Sequence, residues 1–323
     1  MGLLAYIAKR ILLAVPVVLA AIVVNFLIIH SVPGDPIVMI VAGYETDPEY
    51  VALMRKEFGL DRPLHEQLLA YMIQVLQGNL GRSTFGKPVL ELVWERVPLT
   101  LLLMGMALAI AVILGILLGT LSASRVNSVA DTVVTSLSVT GYSVPVFWLA
   151  QILVLVFAVQ LGWLPGYGYS SLKADLTGLA HLIDVLNHAL LPAMALALNQ
   201  LALVVRLTRS SMMNVLTENY IITARSKGLG DRSVLFGHAL KNASLPIVTF
   251  TGVQLGYLLT GAVLTETVFA WPGLGRLLYD ALLWRDYPVL LSMFLFAAII
   301  VTVANLVTDV LYAILDPRIR YGE

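Results

Sequence analysis

Six long apolar stretches constrain this sequence more than any other feature. Each is close to or longer than the roughly 20 residues that a helix needs to cross a hydrocarbon core of about 30 Å. They cover residues 11–29, 99–121, 132–159, 189–207, 245–265 and 289–315. Only helices and closed barrels satisfy their own backbone in lipid, and these stretches lack the alternation of barrel strands. The sequence therefore predicts an all-α, polytopic membrane protein with six transmembrane helices.

The composition excludes several other classes of protein. Hydrophobic residues make up 59% of the chain and charged residues 12%, whereas soluble domains have about 45–50% and about 25%. The formal net charge is zero, so no basic excess indicates a nucleic-acid partner. The chain has no cysteine, which excludes disulfides, thiolate catalysis and cysteine-ligated metals.

Basic residues indicate the orientation of the chain in the membrane. Eleven lysines and arginines lie on segments 1–10, 122–131, 206–244 and 316–323, against three on segments 160–188 and 266–288. Cytoplasmic loops carry the excess of basic residues, so both termini are predicted to be cytoplasmic. Lys9 and Arg10 before the first apolar stretch imitate a signal peptide, but the stretch is longer than the 7–15 residues of a signal core and no cleavage site follows it. We therefore interpret it as a retained helix.

The segment between the first two apolar stretches is predicted to be a helical extracytoplasmic insert. Three units follow: the N-terminus with helix 1 (1–30), the insert (31–97) and the permease core (98–323). Leucines at helical spacing predict a helix over 65–77 that stops at Gly78. Asp47 and Pro48 are typical of a helix start, as cap and first helical residue.

One segment of the insert imitates a nucleotide-binding loop. Residues 81–87 match the first seven positions of a Walker A motif, but the eighth is Pro88, where Mg²⁺ binding requires a serine or threonine hydroxyl. No buried strand precedes the segment, and the predicted topology places it outside the cell. We interpret it as a glycine-rich turn between two helices.

No catalytic or metal-binding pattern is evident. The five histidines form no HExxH motif, and His181 and His188 in a short external loop lack further ligands. Asp309 is the one carboxylate well inside an apolar stretch, and a single acid cannot form a catalytic dyad. These observations argue against a membrane-embedded enzyme and against a carrier that titrates buried acids.

Uncharged polar residues within the apolar stretches are the better indication of a pathway, because they are costly in lipid. The candidates for the translocation pathway are Gln151, Asn199, Gln200 and Gln254. The alternative for each, and for Asn25 and Asn305, is an interhelical hydrogen bond, worth about 0.6 kcal/mol on average. Gly115 and Gly119 form a Gly-x-x-x-Gly pattern, which permits close approach of two helices.

The cytoplasmic segment 206–244 is the most informative loop. It carries six lysines and arginines and is predicted to form helices over 211–224 and 231–242. Asp231 is the expected cap of the second helix, and Gly228 and Gly230 flank a tight turn. Apolar residues such as Tyr220 and Phe236 have no reason to lie on a purely solvated loop, so the segment is predicted to dock onto a partner or a membrane surface.

Several motifs along the chain resemble those of one family. Residues 220–230, with 237–246, resemble the EAA loop of ABC importer permeases of the peptide/nickel subfamily. The Pro-Gly-Asp-Pro at 33–36, residues 266–277 and residues 316–320 resemble the first-type, or B-type, permease of that subfamily. The resemblance covers essentially the whole chain. One departure is that Ile222 and Thr223 replace the Glu and first Ala of the loop, so a salt bridge from that Glu is not implied.

The resemblance implies a type I ABC importer permease fold and ATP-driven import of di- or oligopeptides across the bacterial cytoplasmic (inner) membrane. It also implies a second homologous permease, two cytoplasmic ATPase subunits that bind ATP and Mg, an extracytoplasmic substrate-binding protein and a surrounding lipid bilayer. Nickel chelates and glutathione are alternative substrates, and a secondary transporter is the alternative class. The implied ATPase-coupling residues are Thr223, Ala224, Arg225, Lys227, Gly228 and Leu229. Ala224 and Gly228 are expected to allow close packing into an ATPase groove, with Arg225 and Lys227 at its rim.

Overall fold

The described part of the chain is helical throughout. The computed structural model describes residues 3–31, 61–171, 176–257 and 262–315, together with positions 52 and 56. In these ranges the one β-type contact is an isolated bridge between Arg82 and Pro88, which agrees with the predicted all-α class. The helices are α1 (Leu3–Ser31), α2 (Leu64–Leu76), α3 (Val89–Ser124), α4 (Val129–Ser143), α5 (Val146–Leu153), α6 (Gly178–Leu216), α7 (Asn219–Ser226), α8 (Leu240–Ala243), α9 (Leu245–Tyr257), α10 (Val263–Val268), α11 (Leu274–Leu283) and α12 (Tyr287–Leu315). Two π-helical segments, Val154–Gln160 and Ser233–Ala239, continue α5 and precede α8.

Within the described residues, each of the six predicted apolar stretches lies largely on helices. By length and hydropathy, α3 and α6 are each sufficient to cross a membrane, and α4 with α5 and its π-helical continuation forms a third candidate span that bends by 104° at a break. Shorter apolar runs occupy Leu12–Ile28, Leu245–Gln254 and Tyr287–Val303. The apolar helices are therefore confirmed, whereas the count of six membrane crossings stays a prediction.

The predicted helix of the insert is confirmed as α2. It spans Leu64–Leu76, and Gly78 follows in a left-handed conformation with φ +75°, which glycine adopts without steric cost. The predicted helix start at Asp47 and Pro48 lies outside the described residues.

Helices α3 and α6 form the closest long pair of the fold. A Cβ added to Gly115 would lie 2.5 Å from the Cγ1 of Val204, and one added to Gly119 would lie 2.6 Å from the Cβ of Thr208. Since these separations are below van der Waals contact, only glycine lets the two backbones approach this closely. The Gly-x-x-x-Gly pattern of the sequence therefore marks a real helix–helix contact.

We predict opposite effects from alanine at two glycines of α3. Gly115→Ala inserts a methyl group into the contact with α6 and is expected to destabilise the protein by about 1–3 kcal/mol. Gly105→Ala, where an added Cβ has no atom within 4 Å, is expected to be neutral or stabilising because alanine favours helix over glycine. The melting temperatures of the two purified variants measure the difference, and equal midpoints would contradict the packing argument.

The cytoplasmic loop departs from its predicted helix bounds. The predicted helix over 211–224 is wrong: α6 continues to Leu216, and Glu218 is extended, with φ −71° and ψ 146°. Helix α7 then begins at Asn219. The predicted helix over 231–242 is present, but most of it is π-helical rather than α-helical. At its start, the amide of Val234 donates to the carbonyl of Gly230 at 3.1 Å. Gly230 therefore occupies the cap position, and Asp231 is the first helical residue rather than the cap.

Candidate functional site

The loop over residues 206–244, which is predicted to be cytoplasmic, folds back onto the C-terminal ends of α3 and α6. Its buried side, here called the loop core, consists of small and medium apolar side chains from five elements. These residues are Ala123, Met212, Ile221, Ala224, Val234, Ala239 and Ala243. The amide of Asn242 also donates to the hydroxyl of Tyr220 at 2.7 Å. A displacement of α7 would therefore be transmitted through the π-helical segment and α8 to the long helix α6.

The structure separates the six predicted coupling residues into two groups. Ala224 lies in the loop core and is only 7% exposed, so its small side chain serves packing within this chain rather than packing into a partner's groove. The other five are exposed on the outward surface of the loop: Thr223, Arg225, Lys227, Gly228 and Leu229. Ile222, at the position of the missing Glu, is 56% exposed. The outward side of α7 thus carries both apolar and basic groups.

Gly228 ends α7 through its backbone conformation. Its φ is +78°, and its amide donates to the carbonyl of Arg225 at 2.9 Å while the amide of Leu229 donates to the carbonyl of Ala224 at 3.4 Å. Glycine is favoured at this position after a helix because a Cβ is disfavoured at positive φ. Gly228 therefore ends α7 and sets the direction in which the chain continues through Leu229 to the π-helical segment.

An ion pair between the buried Asp131 and the partly exposed Arg209, next to the loop core, was not predicted from the sequence. Arg209 on α6 donates from Nε to Asp131 Oδ1 and from Nη2 to Asp131 Oδ2, both at 2.8 Å. Asp131 also accepts from Ser122 Oγ at 2.5 Å and from the amide of Asn127 at 2.9 Å. This set, here called the inner brace, joins the turn between α3 and α4 to α6. The Arg209 guanidinium, and then these two donors, hold the pKa of Asp131 well below its usual range.

A second buried carboxyl group lies at the opposite end of α3. Glu266 on α10 is fully buried and accepts from Thr100 Oγ1 at 3.2 Å and from the amide of Arg276 at 2.9 Å. Thr100 in turn accepts from the amide of Leu274 at 2.8 Å. Glu266 and Thr100 therefore accept from backbone amides in the first turn of α11. Glu266, Thr100 and these two amides are here called the outer brace.

Two glycines make room for the carboxyl group of the outer brace. A Cβ on Gly273 would lie 2.4 Å from Glu266 Oε2, and one on Gly275 would lie 2.8 Å from the backbone of Val263. Trp271, also fully buried, donates from its indole to the carbonyl of Leu99 at 3.1 Å. The motif at 266–277, which the sequence marks only by family resemblance, thus packs α10 and α11 onto the outer end of α3.

The segment that imitates a Walker A motif is a turn, as predicted. Gly81 and Gly86 have φ of +80° and +83°, and the segment connects α2 to α3. The hydroxyl of Ser83 donates to Asp286 Oδ2 at 2.5 Å, and the amide and hydroxyl of Thr84 donate to the same oxygen at 3.1 Å. Ser83 and Thr84 thus bind the buried carboxylate of Asp286, the residue before α12. The turn therefore anchors the insert to the core.

The structure brings together two of the four predicted pathway residues. Gln254 on α9 donates from Nε2 to Gln200 Oε1 on α6, so these two satisfy each other across a helix pair. Asn199 is half-buried beside Gln200, and Gln151 is exposed on α5. The contact of these four residues with cargo stays a prediction.

The comparisons with known proteins agree with this architecture. Residues 111–321 match the family model "Binding-protein-dependent transport system inner membrane component", and residues 3–104 match its N-terminal companion. The oligopeptide transport system permease protein AppB of Bacillus subtilis is 40% identical, with 98% of this chain and 99% of the relative covered. The di/tripeptide transport system permease protein DppB of Pseudomonas aeruginosa is also 40% identical, with 99% of each chain covered.

A third relative differs in the substrate that its name gives. The glutathione transport system permease protein GsiC of Salmonella typhi is 41% identical, with 99% of this chain and 100% of the relative covered. The family-model match alone spans more than half of this chain, and the sequence-based resemblance is thereby confirmed. The chain belongs to the family of binding-protein-dependent transport system inner membrane components, which are ABC importer permeases.

Proposed function

We propose that this chain is one membrane subunit of an ATP-driven importer of di- or oligopeptides. The observation that carries the proposal is the two-sided cytoplasmic loop. One side, containing Ile221 and Ala224, is buried against α3 and α6, and the other presents Ile222 and Arg225 to the cytoplasm. A surface of this kind suits a partner whose movement is passed to membrane helices. The peptide-permease names of two relatives support the substrate class.

The partners follow from the same proposal. Two ATPase subunits, which bind the ATP and Mg, dock on the loops of this chain and of a second homologous permease. A substrate-binding protein delivers peptide to the outer face, and both termini of this chain lie in the cytoplasm. The excess of basic residues on the cytoplasmic segments supports this orientation. The chain itself carries out transport, with no catalytic step of its own.

Uptake into liposomes tests the proposal. The complete complex is reconstituted with binding protein outside and ATP inside, and labelled alanylalanine, a longer alanine peptide and glutathione are offered in turn. We expect ATP-dependent accumulation of at least one peptide and none with an ATPase subunit that binds but cannot hydrolyse ATP. Uptake of glutathione and of neither peptide would show that glutathione, rather than a di- or oligopeptide, is the substrate. Uptake driven by an ion gradient without ATP would contradict the proposal.

We predict that Gly228 is required for coupling because of its conformation. Gly228→Val places a branched side chain at positive φ, which costs about 1–2 kcal/mol and is expected to lower the peptide imported per ATP hydrolysed. Gly230→Val is the matched control, because Gly230 has an ordinary φ and an added Cβ there meets no atom within 4 Å. Gly228→Asn should restore part of the coupling, since asparagine tolerates this region. Equal coupling ratios in the two valine variants would contradict this role.

A further inference from the structure

The third apolar stretch is interrupted near its middle. Helix α4 ends at Ser143 and α5 begins at Val146, and the two helices bend by 104°. Val144 between them is extended, with φ −80° and ψ 130°, and Pro145 has no backbone N–H to donate. Since the third predicted span covers residues 132–159, this break falls near the middle of that span.

The break leaves backbone groups without helical partners. The last carbonyls of α4 and the first amides of α5 fall outside both hydrogen-bond ladders. At the start of α5, the amide of Leu149 donates to the carbonyl of Pro145 at 3.0 Å, and the preceding amides have no such acceptor. Irregular backbone at membrane depth is tolerated where it is buried in protein or lines a water-filled cavity, and not where it faces lipid.

The described part of this chain does not bury the break. Tyr142, Ser143, Pro145 and Phe147 are all exposed, with Tyr142 at 48% and Phe147 at 42%. On its other side the break approaches α6, where a Cβ on Gly141 would lie 3.8 Å from the carbonyl oxygen of Leu198. The break is therefore packed against α6 on one face and uncovered on the other.

A polar stripe on α4 leads to the uncovered face. Thr132, Ser136, Thr140 and Ser143 are exposed and recur at intervals of four, four and three residues, which places them on one side of a helix. The buried residues Asp131 and Val134 lie on the other side. Beyond the break, Gln151 is a further exposed polar residue, on α5. Polar residues at membrane depth typically mark a substrate path.

These groups differ from the polar pair that links helices. Gln200 and Gln254 bind each other, which accounts for their presence in a membrane bundle. Along the stripe, the hydroxyls of Thr132 and Ser143 donate to carbonyls of the residues four before them, and each oxygen keeps its capacity to accept. The stripe and the break thus offer acceptors and amide donors together.

We propose that this face, the stripe Thr132, Ser136, Thr140 and Ser143 with the break and Gln151, lines the aqueous path and contacts the backbone of the translocated peptide. The inference rests on the proposed function and adds the residues that receive the cargo. A peptide repeats one N–H and one C=O at every residue whatever its side chains. Hydroxyl, amide and unpaired backbone groups can bind that repeat without selecting a sequence.

Because the chain has no cysteine, single cysteines test this proposal directly. Ser136→Cys, Thr140→Cys and Ser143→Cys are compared with Leu137→Cys, which lies on α4 at an apolar position that is 67% exposed. Each variant is assembled into the full complex with cysteine-free partners and treated with a membrane-impermeant maleimide, with and without alanylalanine and binding protein. Thiols react as thiolates, which form in water and not in hydrocarbon, so the stripe positions should react at least about tenfold faster than position 137. The peptide should slow the reaction at one or more of them.

The outcomes separate the inference from the proposed function. If the complexes import alanylalanine with ATP but the stripe cysteines react no faster than the Leu137→Cys control, the face is covered by lipid or by the second permease, and the inference is wrong. Fast labelling that the peptide leaves unchanged at all three positions would overturn the contact with cargo. A complex that imports no peptide at all, whatever its labelling pattern, would count against the proposed function instead.

Discussion

Arg209→Ala is expected to lower the melting temperature of the complex and to reduce the peptide imported per ATP hydrolysed. The substitution leaves Asp131, which is 4% exposed, without its cation, and an acceptor left with unmet hydrogen bonds in a buried position costs about 1–3 kcal/mol. Because the inner brace adjoins the loop core at Ala123 and Met212, its loss should also loosen the connection between the loop and the long helices.

The double variant Arg209→Ala, Asp131→Asn is the control for this prediction. It removes the charge that Arg209→Ala would leave buried, and asparagine can accept from the amide of Asn127 through Oδ1 while its Nδ2 donates to the hydroxyl of Ser122. We expect the double variant to be more stable than Arg209→Ala alone. If Arg209→Ala melts like the unchanged protein, or if the double variant is no better, the inner brace is not the stabilising unit that the geometry indicates.

The same ion pair predicts an acid dependence. In the folded protein the pKa of Asp131 lies below its ordinary value, so the unfolded chain takes up a proton at a higher pH than the folded chain does. The stabilising contribution of the pair is therefore complete at neutral pH and is lost as the pH falls below the ordinary aspartate pKa of about 4. Between about pH 5 and about pH 2, the melting temperature should fall less steeply for the double variant than for the unchanged protein.

Glu266→Ala is the second substitution with a large expected effect. It would leave the hydroxyl of Thr100 and the amide of Arg276 without their buried acceptor, and it would open a cavity between α10 and α11. Buried donors left unsatisfied cost about 1–3 kcal/mol each, so we expect a loss of about 3 kcal/mol in stability and a detached outer end of α11. Limited proteolysis at the loop between α10 and α11 should accelerate accordingly.

Glu266→Gln separates hydrogen bonding from charge at this position. The glutamine carbonyl can accept from the amide of Arg276, and its amide can donate to Thr100 Oγ1, so this variant should keep most of the stability that alanine loses. Glu91→Ala, at an exposed glutamate on α3, is expected to change the melting temperature little. An alanine variant at 266 that melts and resists protease like Glu91→Ala would contradict the role of the outer brace.

Features that depend on local pattern could be predicted from the sequence. The leucine spacing before Gly78 gave α2 to within one residue at each end, and Gly115 and Gly119 marked the contact between α3 and α6. Each of these depends on periodicity or on the size of a single side chain, which a sequence displays directly.

Features that depend on distant partners could not be predicted. Asp131 and Arg209 are 78 residues apart in the chain, and Thr100 and Glu266 are 166 apart, so no spacing rule connects them. The sequence placed Glu266 at the edge of an external loop, whereas the fold buries it because Gly273 and Gly275 leave room for it. The role of Ala224 was similarly obscured, because the sequence does not show which side of α7 faces the membrane helices.

Site-specific cross-linking from Thr223 tests the central claim most directly, namely that the exposed side of the cytoplasmic loop carries the ATPase. A benzophenone amino acid replaces Thr223, which is exposed on α7, and in a control it replaces Phe85, which is 70% exposed in the turn between α2 and α3. In the purified, assembled complex we expect illumination to join position 223 to an ATPase subunit and position 85 to none. A complex that hydrolyses ATP and imports peptide, yet gives no ATPase cross-link from position 223, would contradict the account.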